Sequence, residues 1–107
     1  MKKIPSICEL NGFVFCTTQA GHMFSYDLRT MAPSFDVTEI EIDKLAVLRD
    51  KLFGIGPNTL YLINPETRSY EKIIDGFNFL SDIKVDEVTD YIYLVNGTEI
   101  MKVTIQE

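Results

Sequence analysis

The chain has a single histidine, His22, which is the side chain best suited to general acid–base catalysis. Such a base needs a nucleophile or an orienting carboxylate within hydrogen-bond reach. Asp27 falls on the same extended segment but on its opposite face. The sequence contains no HExxH motif and no Ser–His–Asp or Cys–His arrangement. We therefore predict that His22 is an ordinary surface residue and that the chain has no catalytic residues.

The densest acidic cluster could offer carboxylate oxygens to a hard cation such as calcium. Its members are Asp82, Asp86, Glu87 and Asp90. The spacing does not match an EF-hand loop, and charged residues are mostly exposed, so a solvated acidic turn is favoured. No glycine motif of the kind that cradles phosphate is present, because Gly54 and Gly56 fall inside a predicted strand. We predict no metal site and no cofactor.

The two cysteines, Cys8 and Cys16, lie on either side of a predicted hairpin turn at Asn11-Gly12. Adjacent strands would bring the thiols near each other, so a disulfide bond is conceivable. Two reduced, buried thiols acting as small apolar side chains are the commoner case. No CxxC spacing indicates zinc. We expect free thiols.

Four tyrosines at strand spacing could line a ligand groove, but packing between sheets with hydroxyls at the rim is favoured. These residues are Tyr61, Tyr70, Tyr91 and Tyr93. The segment Asn96-Gly97-Thr98 matches a glycosylation acceptor, but Asn-Gly is also the pair typical of a tight hairpin turn. We predict a turn there.

Length and charge limit the possible partners. The 107 residues have room for one ordinary domain, and 46% apolar with 24% charged residues is typical of a globular protein. The net charge of −6 disfavours phosphate backbones and anionic membrane surfaces. Pro5, Ser6 and Glu9 interrupt any signal-peptide core. We expect a cytoplasmic protein that binds neither nucleic acid nor membrane.

The sequence repeats itself with a period of about 40 residues around the segment 50–67, DKLFGIGPNTLYLINPET. Forty residues on, Asp50, Leu52, Phe53, Ile55, Leu60 and Ile63 match Asp90, Ile92, Tyr93, Val95, Ile100 and Val103. Thirty-nine residues back, Asp50, Leu52, Phe53 and Ile55 match Asn11, Phe13, Val14 and Cys16. Short apolar runs at this period are typical of β-propeller blades.

Each repeat is predicted to form antiparallel strands separated by Gly, Pro, Asn and Asp turns. The expected strands are 4–10, 13–18, 22–28 and 34–38, then 42–48, 52–56, 60–64 and 69–74, then 77–85, 91–95 and 99–105. The runs FVF, LYLI and YIYLV place apolar groups on both faces, which requires both faces to be covered. The third repeat ends one strand short.

One segment also fits a helix. Over 38–53, Ile42, Leu45, Leu48 and Leu52 have helix-like spacing, and Thr38 with Glu41 could form a capping box. The repeat instead aligns 42–48 with the first strands of the other copies. We therefore predict a strand, with the helix as the alternative.

The segments YDLRT at 26–30 and LINPETRSYEKI at 62–73 look like the third-strand, turn and fourth-strand portions of β-propeller blades. The chain thus resembles the broad WD40, kelch and quinoprotein-like group. It departs from the subfamilies: Tyr26-Asp27 stands where a WD40 blade has Trp-Asp, and the kelch double glycine is missing. The resemblance implies an all-β partial propeller in one unit, 1–107, of three consecutive four-stranded blades, about 4–38, 39–76 and 77–107.

Three blades cannot close a ring, because propellers have about 4–8. Open ends would expose apolar faces, so we expect a partner protein or a second copy to cover them. The resemblance favours a non-catalytic scaffold for protein interactions. The alternative is an enzyme or a sugar- or metal-binding propeller whose site lies at the ring axis, built from inner-strand residues such as Glu9, Lys44 and Asp82.

Overall fold

The computed structural model describes residues 6–104, and these form eleven β-strands with no helix among them. The strands are β1 (Ile7–Leu10), β2 (Phe13–Thr17), β3 (Met23–Asp27), β4 (Ala32–Val37), β5 (Lys44–Leu48), β6 (Lys51–Ile55), β7 (Leu60–Asn64), β8 (Ser69–Ile74), β9 (Asp82–Asp86), β10 (Tyr91–Val95) and β11 (Ile100–Thr104). The predicted all-β class is confirmed.

The strands form three antiparallel sheets, and each strand pairs with its neighbour in the chain. Sheet 1 contains β1–β4, sheet 2 contains β5–β8, and sheet 3 contains β9–β11. The predicted plan of two four-stranded blades and a third that lacks its outer strand is therefore confirmed for the residues described. Predicted strand residues 4, 5 and 105 lie outside that range.

The helix alternative over 38–53 is wrong. β5 is a strand, and its side chains alternate between two cores, with Leu45 on one side and Leu48 on the other. The predicted strand 42–48 begins two residues too early, because residues 42–43 belong to an irregular connection. There the Ile42 amide donates to the Gly21 carbonyl and the Asp43 amide to the Ile55 carbonyl, each at 2.7 Å.

The predicted strand 77–85 is partly wrong, because β9 begins only at Asp82. The segment 77–81 instead crosses from sheet 2 to sheet 3 and bonds to the turn after β6. The Leu80 amide donates to the Pro57 carbonyl at 2.7 Å, and the Asn58 side chain donates to the Phe77 carbonyl at 2.8 Å. These bonds to a distant turn replace the ladder that the alternating sequence indicated.

The predicted break over 29–33 is too long, since Ala32 and Pro33 already belong to β4. β4 is an edge strand, where the missing N–H of proline is tolerated. Ser25 has no partner in the β3–β4 ladder, and a bulge lies there. Its buried hydroxyl donates to the Phe35 carbonyl and accepts from the Phe35 amide, each at 2.9 Å, so the bulge leaves these groups satisfied.

Two apolar cores lie between the sheets. The first joins sheets 1 and 2 and contains Leu10, Phe15, Met23, Phe35, Val37, Ile42, Leu45, Leu52 and Ile63. The second joins sheets 2 and 3 and contains Leu48, Phe53, Ile55, Leu60, Leu80, Ile83, Ile92 and Leu94. Sheet 2 is thus covered on both faces, as its apolar runs predicted, whereas sheets 1 and 3 each contribute one face.

Candidate functional site

His22 and Asp27 do not form a catalytic pair. His22 is exposed just before β3, and its backbone amide bonds to the Thr18 hydroxyl. Asp27 ends the same strand, where its carboxylate accepts bonds from the Arg29 amide at 2.9 Å and the Arg29 side chain at 3.2 Å. The side-chain hydrogen bond from Arg29 lowers the pKa of Asp27 below its usual range. This carboxylate therefore organises a turn.

The carboxylates of the acidic cluster do not converge on one point, because Asp82, Asp86 and Asp90 each bond to a different group. Asp86 accepts a bond from the Val88 amide at 2.9 Å, and Asp82 accepts one from the Ile83 amide at 2.8 Å. Asp90 pairs with Arg49 across the junction between sheets 2 and 3. Residues 6–104 contain no group of three His, Cys, Asp or Glu side chains that could hold a metal ion.

Both cysteines are free thiols, in agreement with the expectation. The β1–β2 register pairs Cys8 with Phe15 and Ile7 with Cys16, so the two thiols lie on opposite faces of sheet 1. Burial raises the pKa of Cys8 to about 11, and Cys16 adds to the rise. Burial also raises the pKa of Cys16. Neither thiol has the thiolate character that nucleophilic chemistry requires.

The half-buried carboxyl of Asp43 lies beside Glu41 in the connection between sheets 1 and 2. Burial raises its pKa to about 6, and the hydrogen bond and charge of Glu41 act in the same direction, while Lys44 opposes them. Its backbone is fixed, because its carbonyl accepts a bond from the buried Thr17 hydroxyl at 3.1 Å. Asp43 therefore holds a proton more tightly in the folded chain than in the unfolded one.

We expect Asp43→Asn to raise stability at pH 8 by about 1 kcal/mol. The folded pKa of about 6 lies above the ordinary 3.8, so the contribution of Asp43 is fully present below about 3.8 and is lost as pH rises through about 6. Solvent screening at this half-buried group makes the effect smaller than the full pKa shift would give. Urea unfolding from pH 4 to pH 8 measures it. Glu71→Gln, an exposed control, should leave the pH profile unchanged, and parallel profiles for all three proteins would contradict the prediction.

The strand registers define the repeat more closely than the sequence. The predicted 40-residue offset between sheets 2 and 3 is confirmed, because Leu52 and Ile92 both face the preceding sheet. The predicted 39-residue offset between sheets 1 and 2 is wrong. The paired strands match at 38, so Phe15 corresponds to Phe53 and Val14 to Leu52. A shift of one residue exchanges the two faces of a strand.

With the corrected offsets, one aromatic residue occupies the same central place in every sheet, on the middle of the second strand. These residues are Phe15, Phe53 and Tyr93. Phe15 is buried against sheet 2 and Phe53 against sheet 3. Tyr93 points from sheet 3 away from the described sheets. In sheets 1 and 2, the aromatic residue at this position packs against the following sheet.

The outer face of sheet 1, named here the sheet 1 end face, is not covered by the described residues. It carries the exposed Ile7, Glu9 and Asp36, the partly buried Val14, Phe24 and Tyr26, and the buried Cys16. The corresponding positions in sheet 2 are Leu45, Val47, Leu52, Gly54, Tyr61 and Ile63, which pack on sheet 1. Ile7 is 63% exposed, and the Phe24 and Tyr26 rings meet edge to face at 5.7 Å. The positions of this face are therefore equivalent to positions that are buried between two sheets in sheet 2.

The outer face of sheet 3, named the sheet 3 end face, is more polar. Its three cross-strand rows are Asp82, Val95 and Ile100; Lys84, Tyr93 and Lys102; and Asp86, Tyr91 and Thr104. The Tyr91 and Tyr93 rings meet edge to face at 6.4 Å, and the Lys102 ammonium lies 4.5 Å from the Tyr91 ring centre. Ile100 is 72% exposed. The face is aromatic at its centre and carries lysines on either side.

The four tyrosines divide between two environments. Tyr61 and Tyr70 stack at 5.9 Å and pack against the core between sheets 1 and 2, as predicted. Tyr91 and Tyr93 instead lie on the sheet 3 end face, so the prediction of packing between sheets is not met for them within residues 6–104. Within the described residues, no sheet follows sheet 3 for these two rings to meet.

A groove of about 680 Å³ opens where turns of sheets 1 and 2 meet. It is lined by Leu10, Asn11, Phe13, Ser34, Asp50, Lys51, Leu62, Ile63, Asn64, Pro65, Glu66 and Arg68. Ligand pockets of roughly 300–1,000 Å³ commonly combine an apolar floor with a few polar groups, as here. The sequence did not indicate this groove, because its lining comes from three turns and from strand β4, which lie far apart in the chain.

The proposed axial residues are not brought together as one group. Lys44 and Asp82 begin the equivalent strands β5 and β9. Glu9 corresponds instead to Val47 and Val85, three residues further along such a strand, and lies on the sheet 1 end face. The three side chains therefore do not converge on a single site at one end of the inner strands.

No family model and no curated protein matches the chain. Solved structures do. The extracellular domain of BT4673 from B. thetaiotaomicron superposes with a TM-score of 0.75 at 20% identity over 99% of this chain. BamB from Moraxella catarrhalis gives 0.59 at 15% over 98%, and the N-terminal domain of Nup159 gives 0.55 at 14% over 92%. The chain spans 16%, 36% and 30% of those chains, respectively.

BamB and the Nup159 domain are β-propellers, so the three sheets are propeller blades. At these identities the likeness concerns the fold alone. Within residues 6–104, no helix has the length and apolar character to cross a membrane.

Proposed function

We propose that this three-blade section of a β-propeller is a non-catalytic protein-interaction module whose two end faces bind protein. The observation that carries the proposal is the sheet 1 end face. Its Val14, Phe24 and Tyr26 stand where sheet 2 has Leu52, Tyr61 and Ile63, which are packed against a neighbouring blade. An apolar surface with an interior pattern favours burial against another protein.

The chemistry of the face favours protein over a small ligand. The exposed Ile7 and the two rings of Phe24 and Tyr26 spread over strands β1 and β3. Aromatic residues over a flat sheet supply large contact area and are enriched in protein interfaces.

The proposal that the chain is not an enzyme is supported by the structural contacts of the carboxylates and thiols that could have been catalytic. Asp27 and Asp90 are bound to arginines, Asp86 holds a turn, and both thiols have raised pKa values. Each of these groups has a structural task that accounts for its position.

We expect binding to depend on the end faces. Tyr26→Glu would place a charge in the sheet 1 end face, and proteins captured by the wild-type chain in a pull-down should be lost. Phe79→Glu is the matched control, because Phe79 is 68% exposed and lies in the connection 77–81, outside both faces. Capture by the control should equal that by the wild type.

If circular dichroism shows that the Tyr26→Glu variant is folded and it captures as much protein as the wild type, the proposal is contradicted.

The groove between sheets 1 and 2 supports a second candidate function, the binding of a small ligand or short peptide. Saturable heat of binding in calorimetry, removed by Arg68→Ala in the groove and retained in Tyr26→Glu, would favour that function.

Cytoplasmic residence and a WD40-like character of the repeats remain part of the proposal. Two unpaired thiols in one sheet suit a reducing compartment. Microscopy of the tagged protein tests the location.

A further inference from the structure

We propose that the groove between sheets 1 and 2 binds the arginine side chain of a partner peptide, with the guanidinium group paired to Asp50. This inference rests on the second candidate function given above for the groove. It adds the chemical class of the ligand and the residue that recognises it. The neighbouring junction, between sheets 2 and 3, contains the contact that such a ligand would reproduce.

An arginine bridges sheets 2 and 3 at the turn end of their junction. Arg49 lies in the turn between β5 and β6, and its side chain reaches the turn between β9 and β10. There it pairs with the Asp90 carboxylate and donates to the Glu87 carbonyl at 3.1 Å. One guanidinium group thus binds two oxygen acceptors of the next sheet, which is the geometry that its several N–H donors favour.

The junction between sheets 1 and 2 has the same carboxylate but lacks the arginine. The β1–β2 and β5–β6 hairpins match at 38 residues, so Asn11 takes the position of Arg49. β6 and β10 match at 40 residues, so Asp50 takes the position of Asp90. The backbone agrees with this alignment, because φ is 54° at Asn11 and 52° at Arg49, and 60° at Asp50 and 62° at Asp90.

Asn11 does not supply the missing contact, because its side chain is much shorter than that of an arginine. Among residues 6–104, no hydrogen bond joins Asn11 to Asp50, and none of the ion pairs between described side chains involves Asp50. The groove of about 680 Å³ opens at this junction, and both residues belong to its lining. The exposed Asp50 carboxylate therefore offers the groove an acceptor in the position that Asp90 gives to Arg49.

Other parts of the lining suit an arginine side chain. Leu10, Phe13 and Ile63 supply apolar surface, along which the methylene groups of an arginine pack while its charged end stays in water. The exposed Glu66 adds a second carboxylate to the lining. The groove therefore combines an apolar floor with acidic groups at its rim.

Two cations also line the groove, and they favour a carboxylate beside the arginine. These residues are Lys51 and Arg68. A purely cationic peptide would be repelled by them, whereas a purely acidic one would be repelled by Asp50 and Glu66. A peptide with an arginine next to an acidic residue offers each wall an opposite charge, which favours the correct partner and orientation.

Nuclear magnetic resonance on the isotope-labelled chain tests the ligand, with the end-blocked peptide Ser-Gly-Arg-Glu-Gly-Ser as the probe. We expect saturable shifts of the Asn11, Asp50 and Glu66 amide signals. The same peptide with citrulline, which has the shape of arginine without its charge, should bind about fivefold more weakly. Asp50→Asn should weaken binding of the arginine peptide to a similar extent. Glu71→Gln, an exposed change outside the groove, should leave it unchanged.

Asn11→Arg should block the site from within the chain. The variant places an arginine where sheet 2 has Arg49, and the backbone suits it because φ is nearly the same at the two positions. The new side chain should pair with Asp50 as Arg49 pairs with Asp90. We expect the peptide-induced shifts to disappear, and circular dichroism to show the same fold as the wild type.

The outcomes separate the ligand class from the functions proposed above. Equal binding of the arginine and citrulline peptides would overturn the arginine inference and leave the groove as a peptide site. An absence of saturable shifts with the arginine peptide, or shifts that persist in a folded Asn11→Arg variant, would also overturn it. The interaction function of the end faces stands or falls separately, with the capture of protein by Tyr26→Glu.

Discussion

Replacing Phe53 with alanine is expected to lower the free energy of unfolding by about 3–5 kcal/mol. Phe53 is 1% exposed and lies at the centre of the core between sheets 2 and 3. The substitution removes the whole ring from a core lined by residues on rigid strands, so the cavity cannot collapse fully. For a domain whose total stability is about 5–15 kcal/mol, this is a large fraction.

Urea unfolding followed by circular dichroism measures the change as a shift in midpoint. Phe79→Ala is the matched control, since it deletes the same ring from an exposed position and should cost less than about 0.5 kcal/mol. Equal losses in the two variants would show that the second core does not stabilise the fold.

Gly56→Ala is expected to cost about 3 kcal/mol for a different reason, the overlap of a new methyl group with the backbone. A β-carbon at Gly56 would fall well inside contact distance of the Glu41 carbonyl oxygen. That carbonyl cannot withdraw easily, because the next two amides, of Ile42 and Asp43, are bonded to the Gly21 and Ile55 carbonyls. Thermal unfolding of the purified variant tests this.

The comparison variant is Gly54→Ala, whose new methyl group would meet side chains and no backbone atom. The nearest atoms are the Ile42 Cγ2 at 2.9 Å and the Ile63 Cδ1 at 3.0 Å, and small side-chain shifts can relieve these contacts more easily than a bonded carbonyl can move. We expect a smaller loss, about 1 kcal/mol. A larger loss at position 54 than at position 56 would contradict the assigned role of the Glu41 backbone.

The role of Gly56 also shows what the sequence could predict. The repeat and the turn residues on either side correctly predicted a strand near 52–56, but β6 ends at Ile55. The reason for glycine at 56 lies in the connection 38–43, which approaches from a different sheet. A local pattern contains no information about a backbone that arrives from elsewhere.

The repeat was predictable where the residue types fix the offset and ambiguous where neighbouring residues are of the same type. Between sheets 2 and 3, aligning Leu52 with Ile92 gave the right face for every residue of β10. Between sheets 1 and 2, the type of residue was matched equally well at 38 and 39, since Val14 and Phe15 are both apolar. Only strand pairing, which places Phe15 in the core beside Leu52, distinguishes the two.

The candidate site was the least predictable part. The end faces follow from counting blades, and the sequence therefore predicted that they exist. Their chemistry did not follow, because a one-residue error in the offset exchanges Val14 with Phe15 and so leaves undecided which of the two lies on the outer face of sheet 1. The groove between sheets 1 and 2 depends on turns that meet only in the folded chain.

The pairing of every strand with its chain neighbour has a consequence for the order of folding. Hydrogen bonds within each sheet close only short loops, so their entropic cost is small and each meander can form early and independently. The two junctions consist of side chains that meet only after neighbouring sheets exist. Substitutions in the hairpins should therefore slow refolding, whereas truncation of Phe53 should chiefly accelerate unfolding. The contacts at the junctions between sheets would then set how long the folded chain persists. The hairpins within each sheet would set how fast the chain folds.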